Sequence, residues 1–270
     1  MIRGFSWLAI LLFIVPGQAA NPADTFLAAF RVGNYQMAFA VCDQLPADDP
    51  LTPSYRATCL AMLGRSEEAV EAFRRAAFKA GNAWDQVMIY ARAQALFDAR
   101  LYSRAQMELA VLERRFPHSR LAERGKDMTQ RIERRLATGL SAANLEWYLD
   151  RGLAAYEAAR PALAVEFLDE HQQLARRVGA EVTARQRLTL GAAYLELEET
   201  KNALIHLSAV PSETESYRGA LFRGLVLSAH GDAVAAQEFL IEARDHTSDE
   251  GVKQRAGAIL AELEAARTIK

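Results

Sequence analysis

Small and large apolar positions recur along this chain in a fixed order. After residue 20, a small or turn-forming residue is followed five positions later by alanine and four positions after that by a large apolar residue, and the unit returns six times. It reads Gly33, Ala38, Cys42, then Gly64, Ala69, Phe73, and near the end Gly231, Ala236, Leu240. The returns fall roughly 31 to 39 residues apart with one longer gap, a period that fits stacked helical hairpins better than one compact catalytic core.

Local signals place the helices. Asn21-Pro22 reads as a cap followed by proline at the first helical position, opening a hairpin that runs to about Pro46 and turns at Gly33-Asn34. Thr52-Pro53 repeats the signal for a second pair, whose second helix starts at Ser66-Glu67-Glu68 after the Gly64 turn. A third pair begins at Asn82, turns near Arg100 to Ser103 and stops at Pro117, and Ser119 caps an arginine-rich helix reaching Leu136. Thr138-Gly139-Leu140-Ser141 then breaks the pattern, so we expect a joint between sub-arrays spanning 21–137 and 140–270. Pro161 suits the second helix of the fourth pair, Pro211 ends the fifth, and Ser212 with Glu215 forms a capping box for the sixth. A last helix, from about Asp249 to Thr268, covers the open end.

Close approach explains the small residues. Ala57, Ala93, Gly152, Gly191 and Gly224 on first helices, with Ala69, Ala105, Ala164, Ala203 and Ala236 on second helices, let paired helices meet. Phe73, Leu109, Leu168, Leu207 and Leu240 fill the space between.

With these residues in place the chain resembles the tetratricopeptide repeat family, most clearly at Ala57, Gly64, Ala69, Phe73, Ala76 and at Gly224, Gly231, Ala236, Leu240, Ala243. The resemblance covers about residues 22 to 248. It implies an all-α, right-handed solenoid of about six antiparallel helix pairs plus a C-terminal cap, and a role in binding proteins or peptides. Three pairs depart from the pattern: Phe26 stands where a small residue belongs, Arg100 occupies a turn, and His171 replaces a closing alanine. The segment Glu113 to Ser119 also resembles a repeat ending of envelope proteins of the Tol-Pal and outer-membrane assembly type.

Composition adds a compartment. Arg3, the apolar run Phe5 to Val15 and Pro16-Gly17-Gln18-Ala19-Ala20 have the layout of a secretory leader over residues 1–20, cut after Ala19 or Ala20. An uncleaved anchor is the competing reading, but about 11 apolar residues cover only about half of a bilayer core. Export to a periplasm follows. The formal charge of −2 gives no global drive toward nucleic acid or anionic membranes.

Chemistry-bearing motifs are sparse. Cys42 and Cys59 are the two cysteines, and they sit on helices that neighbour one another in a stack. A disulfide would close a loop of about 17 residues and stabilise the chain by roughly 3 kcal/mol. Two reduced buried thiols are the alternative. The five histidines, His118, His171, His206, His230 and His246, show no metal-ligand spacing and are assigned to surface or helix-end positions. No nucleophile elbow or phosphate loop occurs. No cofactor or metal is expected, and catalysis is disfavoured.

The arginine-rich helix offers Arg120, Arg124, Arg131 and Arg135 as a docking patch for an acidic protein or lipid headgroups, against a solvated face balanced by Glu123, Asp127 and Glu133. First helices line the inner surface of such a solenoid, so Met62, Tyr90, Gln94, Phe97, Leu149, Leu153, Tyr156 and Leu188 form the expected peptide groove. Family members that grip a terminal carboxylate use lysine and asparagine there; Ser54, Thr58, Tyr90 and Gln94 supply neither. The reading is a non-enzymatic interaction scaffold of the cell envelope that captures a protein or peptide in an apolar groove. A glycan-acting enzyme on a helical scaffold and an oligomerising module are the alternatives.

Overall fold

The computed structural model describes residues 21–80, 83–139 and 142–268. The expected leader, Asn82, and the joint residues Leu140 and Ser141 lie outside them. The described residues are α-helical throughout, apart from turns and one 3-10 turn at Cys42–Gln44. They fall into two compact units, one ending at Leu45 and the other starting at Pro46.

In the first unit α1 (Pro22–Arg31) pairs with α2 (Tyr35–Val41). Asn21 Oδ1 accepts from the Ala23 N–H, and Asn34 Oδ1 accepts from the Met37 N–H, so both helices begin on side-chain caps. Phe26 is buried and stacks on Phe30 with ring centroids 5.6 Å apart, which is how this pair accommodates a large residue at the small position.

The second unit holds the hairpins α3 (Thr52–Met62) with α4 (Ser66–Ala80), α5 (Gln86–Asp98) with α6 (Tyr102–Arg115), α8 (Ala142–Glu157) with α9 (Pro161–Val178), α10 (Ala184–Glu196) with α11 (Thr200–Leu207), and α12 (Thr214–His230) with α13 (Ala233–His246). Two further helices, α7 (Arg120–Gly139) and α14 (Glu250–Thr268), close the two runs of hairpins. Both members of a pair pack on the first helix of the next: α3 and α4 on α5, α8 and α9 on α10, α10 and α11 on α12, and α12 and α13 on α14. This nearest-neighbour stacking is an all-α solenoid.

The repeated residues do what their spacing predicts. A Cβ on Gly152 would sit 2.6 Å from Leu168 Cγ, one on Gly191 2.5 Å from Leu207 Cγ, and one on Gly224 2.5 Å from Leu240 Cγ. Each leucine therefore occupies the space the glycine leaves, and all three are fully buried. The six repeat turns share a left-handed residue at the same position: Gly33, Gly64, Arg100, Ala159, Glu198 and Gly231, with φ between 55° and 91°. Three of these turns use a residue that pays for the conformation with strain.

Two local expectations fail. Ser212 and Glu215 form no capping box: Ser212 Oγ donates to Glu242 Oε2 at 3.0 Å, and Glu215, Ser216 and Tyr217 are all left-handed. Partners outside α12 hold that bend, since Thr247 Oγ1 donates to the Ser216 carbonyl and Tyr217 stacks on His246. The second is His171, which is buried inside α9, 2.7 Å from Gln186 Nε2, rather than at a surface or helix end.

The regular stacking is interrupted after α7. There α9 turns to pack on α4 and α6, second helices of earlier pairs. Fourteen of its eighteen residues are buried, so α9 is enclosed on every side and not merely on an amphipathic stripe.

Candidate functional site

Enclosure of α9 requires its charges to be matched, and they are. Glu166 is fully buried, 3.0 Å from Arg104 Nε, 3.5 Å from Arg92 and 3.6 Å from Arg74. Burial alone would raise its carboxyl, but Arg104, Arg92 and Arg74 outweigh that and hold it below the ordinary range. The same three arginines reach one further carboxylate each: Arg74 pairs with Glu199 at 2.7 Å, Arg92 with Glu108 at 3.3 Å, and Arg104 with Asp169 at 3.8 Å. One helix turn on, Glu170 accepts the Ser103 and Arg104 backbone N–H groups, capping α6 from another hairpin. Burial raises both Asp169 and Glu170, against Arg104 in the first case and the two backbone donors in the second. Tyr194 donates to Asp169 Oδ2 at 2.7 Å, and burial pushes that phenol up. With every carboxylate engaged, the cluster is a structural junction joining α9 to α4, α5 and α6.

The faces of the first helices are arranged differently. In the second run α8, α10, α12 and α14 line a cleft of about 250 Å³. Its apolar lining comes from Tyr156, Leu188, Leu221, Phe222 and Val252. Arg218 lies 3.9 Å from Glu215 and 3.5 Å from Asp249, and Arg255 adds a cation that forms no ion pair among the described residues. Tyr156 donates to Glu196 Oε1 at 2.9 Å.

A second cleft opens where the α5–α6 turn, the last turns of α7 and the start of α8 converge. It comprises cavities of about 690 and 430 Å³ that share Arg100, Tyr102, Arg135 and Thr138. Phe97, Tyr102 and Trp147 supply aromatic walls, and Arg100, Arg131, Arg134 and Arg135 supply positive charge. The Arg131 guanidinium lies 4.6 Å from the Phe97 ring centre, and that of Arg100 lies 5.5 Å from Trp147.

The expected groove residues therefore divide among several places. Tyr156 and Leu188 meet in the first cleft, and Phe97 joins Arg131 and Arg135 in the second. Met62 is exposed on the last turn of α3; Tyr90, Leu149 and Leu153 are half-buried; Gln94 donates to Asp98. Arg120 and Arg124 stand exposed on the first turns of α7 and line neither cleft. Ser54 and Thr58 are buried, with Ser54 Oγ accepting from Trp84 Nε1 at 2.7 Å, so neither faces a groove. Cys42 and Cys59 are buried, one in each unit. Sequence reasoning missed Glu166, Asp169 and Glu170; the available signal was a three-residue acidic stripe on a helix otherwise made of core residues. Among the described residues no group of His, Cys, Asp and Glu side chains is arranged to hold a metal, and no helix is long and apolar enough to cross a membrane.

The sequence matches no family model and no curated protein. Among solved structures, the chain is similar to the tetratricopeptide repeat domain of P58(IPK), at 13% identity and a TM-score of 0.38, over 90% of this chain and 64% of that one. It is also similar to the TPR2AB domain of yeast Sti1, solved as a complex with pHSP90, at 13% identity and a TM-score of 0.37, over 92% and 94%. The chain thus spans about two thirds of the P58(IPK) domain. Both scores are low, and the fold described above rests on this chain's own packing.

Proposed function

We propose that this protein is a non-enzymatic interaction scaffold that seats a peptide or protein segment on the first-helix face of α8, α10, α12 and α14. The observation that carries the reading is the cleft in which half-buried Tyr156 and Phe222 come together with buried Leu188, Leu221 and Val252, beside Arg218 paired with Glu215 and Asp249. Tyr156 and Phe222 offer aromatic anchorage there, which suits extended-segment or helix-in-groove capture. The second helices point the other way, with α9 packed on α4 and α6, so joining the two runs does not consume this face.

The leader-like segment over residues 1–20 supports a cell-envelope location for the scaffold, with a periplasmic partner. Amino-terminal sequencing of the exported protein should then begin at Ala20 or Asn21; an intact Met1 on the exported form would remove the compartment from the reading. Partner seating is tested by affinity capture from envelope extract with Tyr156→Ala/Phe222→Ala. Partners bound by the parent chain should be lost, while Ile205→Ala, an exposed position on α11, should keep them. Retention by the double variant would reject the cleft.

A further inference from the structure

The cleft between α5, α6, α7 and α8 has a different chemistry from the groove above. We propose that it is a separate binding site for an acidic peptide segment of a partner protein, one that alternates carboxylate and aromatic side chains.

Charge is the first argument. Arg100, Arg131, Arg134 and Arg135 converge on two joined cavities, and among the described residues none of them forms an ion pair within 4.0 Å. One acid among the described residues lines the cleft, Asp98, which accepts from the Gln94 amide at 2.9 and 3.0 Å and forms no ion pair with these arginines. The enclosed cations Arg74, Arg92 and Arg104 have carboxylates, and Lys126 of α7 is paired with Glu123 at 2.8 Å. Four guanidiniums against the single carboxylate of Asp98 leave the concavity with an excess of positive charge, on a chain whose net charge is −2, and so a local demand for anions.

Backbone strain is the second. Arg100 holds φ at +66° in a turn where three of the six repeats use glycine. A non-glycine residue there costs about 1–2 kcal/mol. Its guanidinium lies over Trp147, facing the cleft that both residues line.

Shape selects the class of anion. The cavities fall in the range of about 300–1,000 Å³ typical of ligand sites and are walled by Phe97, Tyr102 and Trp147. A flat lipid surface cannot enter such a concavity. A nucleic acid strand needs a long basic track, whereas α7 interleaves Glu123, Asp127 and Glu133 with its cations. Carboxylates answer bidentate guanidiniums, and an aromatic side chain between them meets the rings.

The site is distinct from the α8–α10–α12–α14 cleft, and the experiment keeps the two apart. The full chain is titrated into a fluorescein-labelled peptide of alternating glutamate and phenylalanine with an amidated C-terminus, read by anisotropy, with Trp147 emission followed in parallel. Saturable binding with a change in Trp147 emission is expected. Arg131→Glu/Arg135→Glu should weaken it by about 100-fold, about tenfold for each charge-assisted hydrogen bond removed. Arg120→Glu/Arg124→Glu on the same helix should change it by less than about twofold, because those side chains lie beyond a Debye length of about 10 Å in ordinary salt. Tyr156→Ala/Phe222→Ala should bind the probe as the parent does, so loss of the other groove would not imitate loss of this one. All substituted arginines are exposed, and an unchanged melting curve shows that folding is intact. Equal binding of the glutamine-for-glutamate peptide, equal weakening by both arginine pairs, or tighter binding of anionic vesicles or single-stranded RNA than of the probe would each overturn the proposal.

Discussion

Glu166→Gln removes one negative charge from the centre of the second unit and leaves its shape almost unaltered. The structure fixes the consequence. Glu166 is fully buried and within 3.6 Å of three guanidiniums, each of which keeps one other carboxylate, on Glu199, Glu108 or Asp169. The arginines are thus not orphaned, but three cations then share three peripheral acids, one of which burial already raises. Removing one partner of a buried ion pair costs about 3–5 kcal/mol, a large part of the roughly 5–15 kcal/mol that a domain possesses. Because the cluster joins α9 to α4 and α6, the loss should fall on the coupling between the two runs of hairpins. Trp84 lies ahead of α5 and Trp147 lies in α8, so each run carries its own reporter in a chain starting at Asn21. Urea unfolding followed by the summed tryptophan emission should show one transition in the parent and, in Glu166→Gln, a lower midpoint with the emission changing in two steps. A loss below about 1 kcal/mol with a single transition would refute the reasoning, since it would lie within the range of an exposed pair. Acid provides a cross-check. The folded Glu166 carboxyl lies below its ordinary 4.5, so its contribution is full above that value and vanishes as pH falls through the folded pKa. Glu166→Gln should lack this share of the acid sensitivity.

Gly191→Ala should destabilise the protein by about 1–3 kcal/mol in thermal unfolding, because the new methyl would lie 2.5 Å from Leu207 Cγ and overpacking outweighs the helix propensity gained. Gly257→Ala, in α14 with nothing within 4 Å of the added carbon, should instead stabilise by up to about 1 kcal/mol; destabilisation by both would discredit the packing argument. His206 stacks on Tyr194 with centroids 5.4 Å apart, and burial, then Arg187 and Arg176, lower it to about 4. Its unfolded form therefore binds a proton first, so stability should decline as pH falls from about 6.5 to about 4, and His206→Gln should flatten that decline when melts are compared across the window.

The recurrence of small, alanine and large positions made the hairpins legible, because close approach leaves a residue signature wherever it occurs: Gly152 with Leu168, Gly191 with Leu207, Gly224 with Leu240. Turn position was legible even at Arg100, since spacing locates a turn that composition would not. What stayed hidden depends on partners distant in sequence. Glu166 meets Arg104 across 62 residues, and nothing near α9 announces that second helices of another run will cover it. Ser54 and Thr58 share a helix face with groove candidates, yet Trp84, 30 residues on, covers Ser54. At Ser212 and Glu215 the local capping pattern was present, but Glu242 took the serine and the bend at Glu215–Tyr217 prevailed.

The scaffold reading is tested most directly by photo-crosslinking in the cell envelope, with a benzophenone amino acid placed at Tyr156 in the first-helix cleft or at Ile205 on the exposed side of α11. A discrete adduct of one partner from position 156 and none from 205 is the predicted result. No adduct from 156, or the same adducts from both positions, would contradict it.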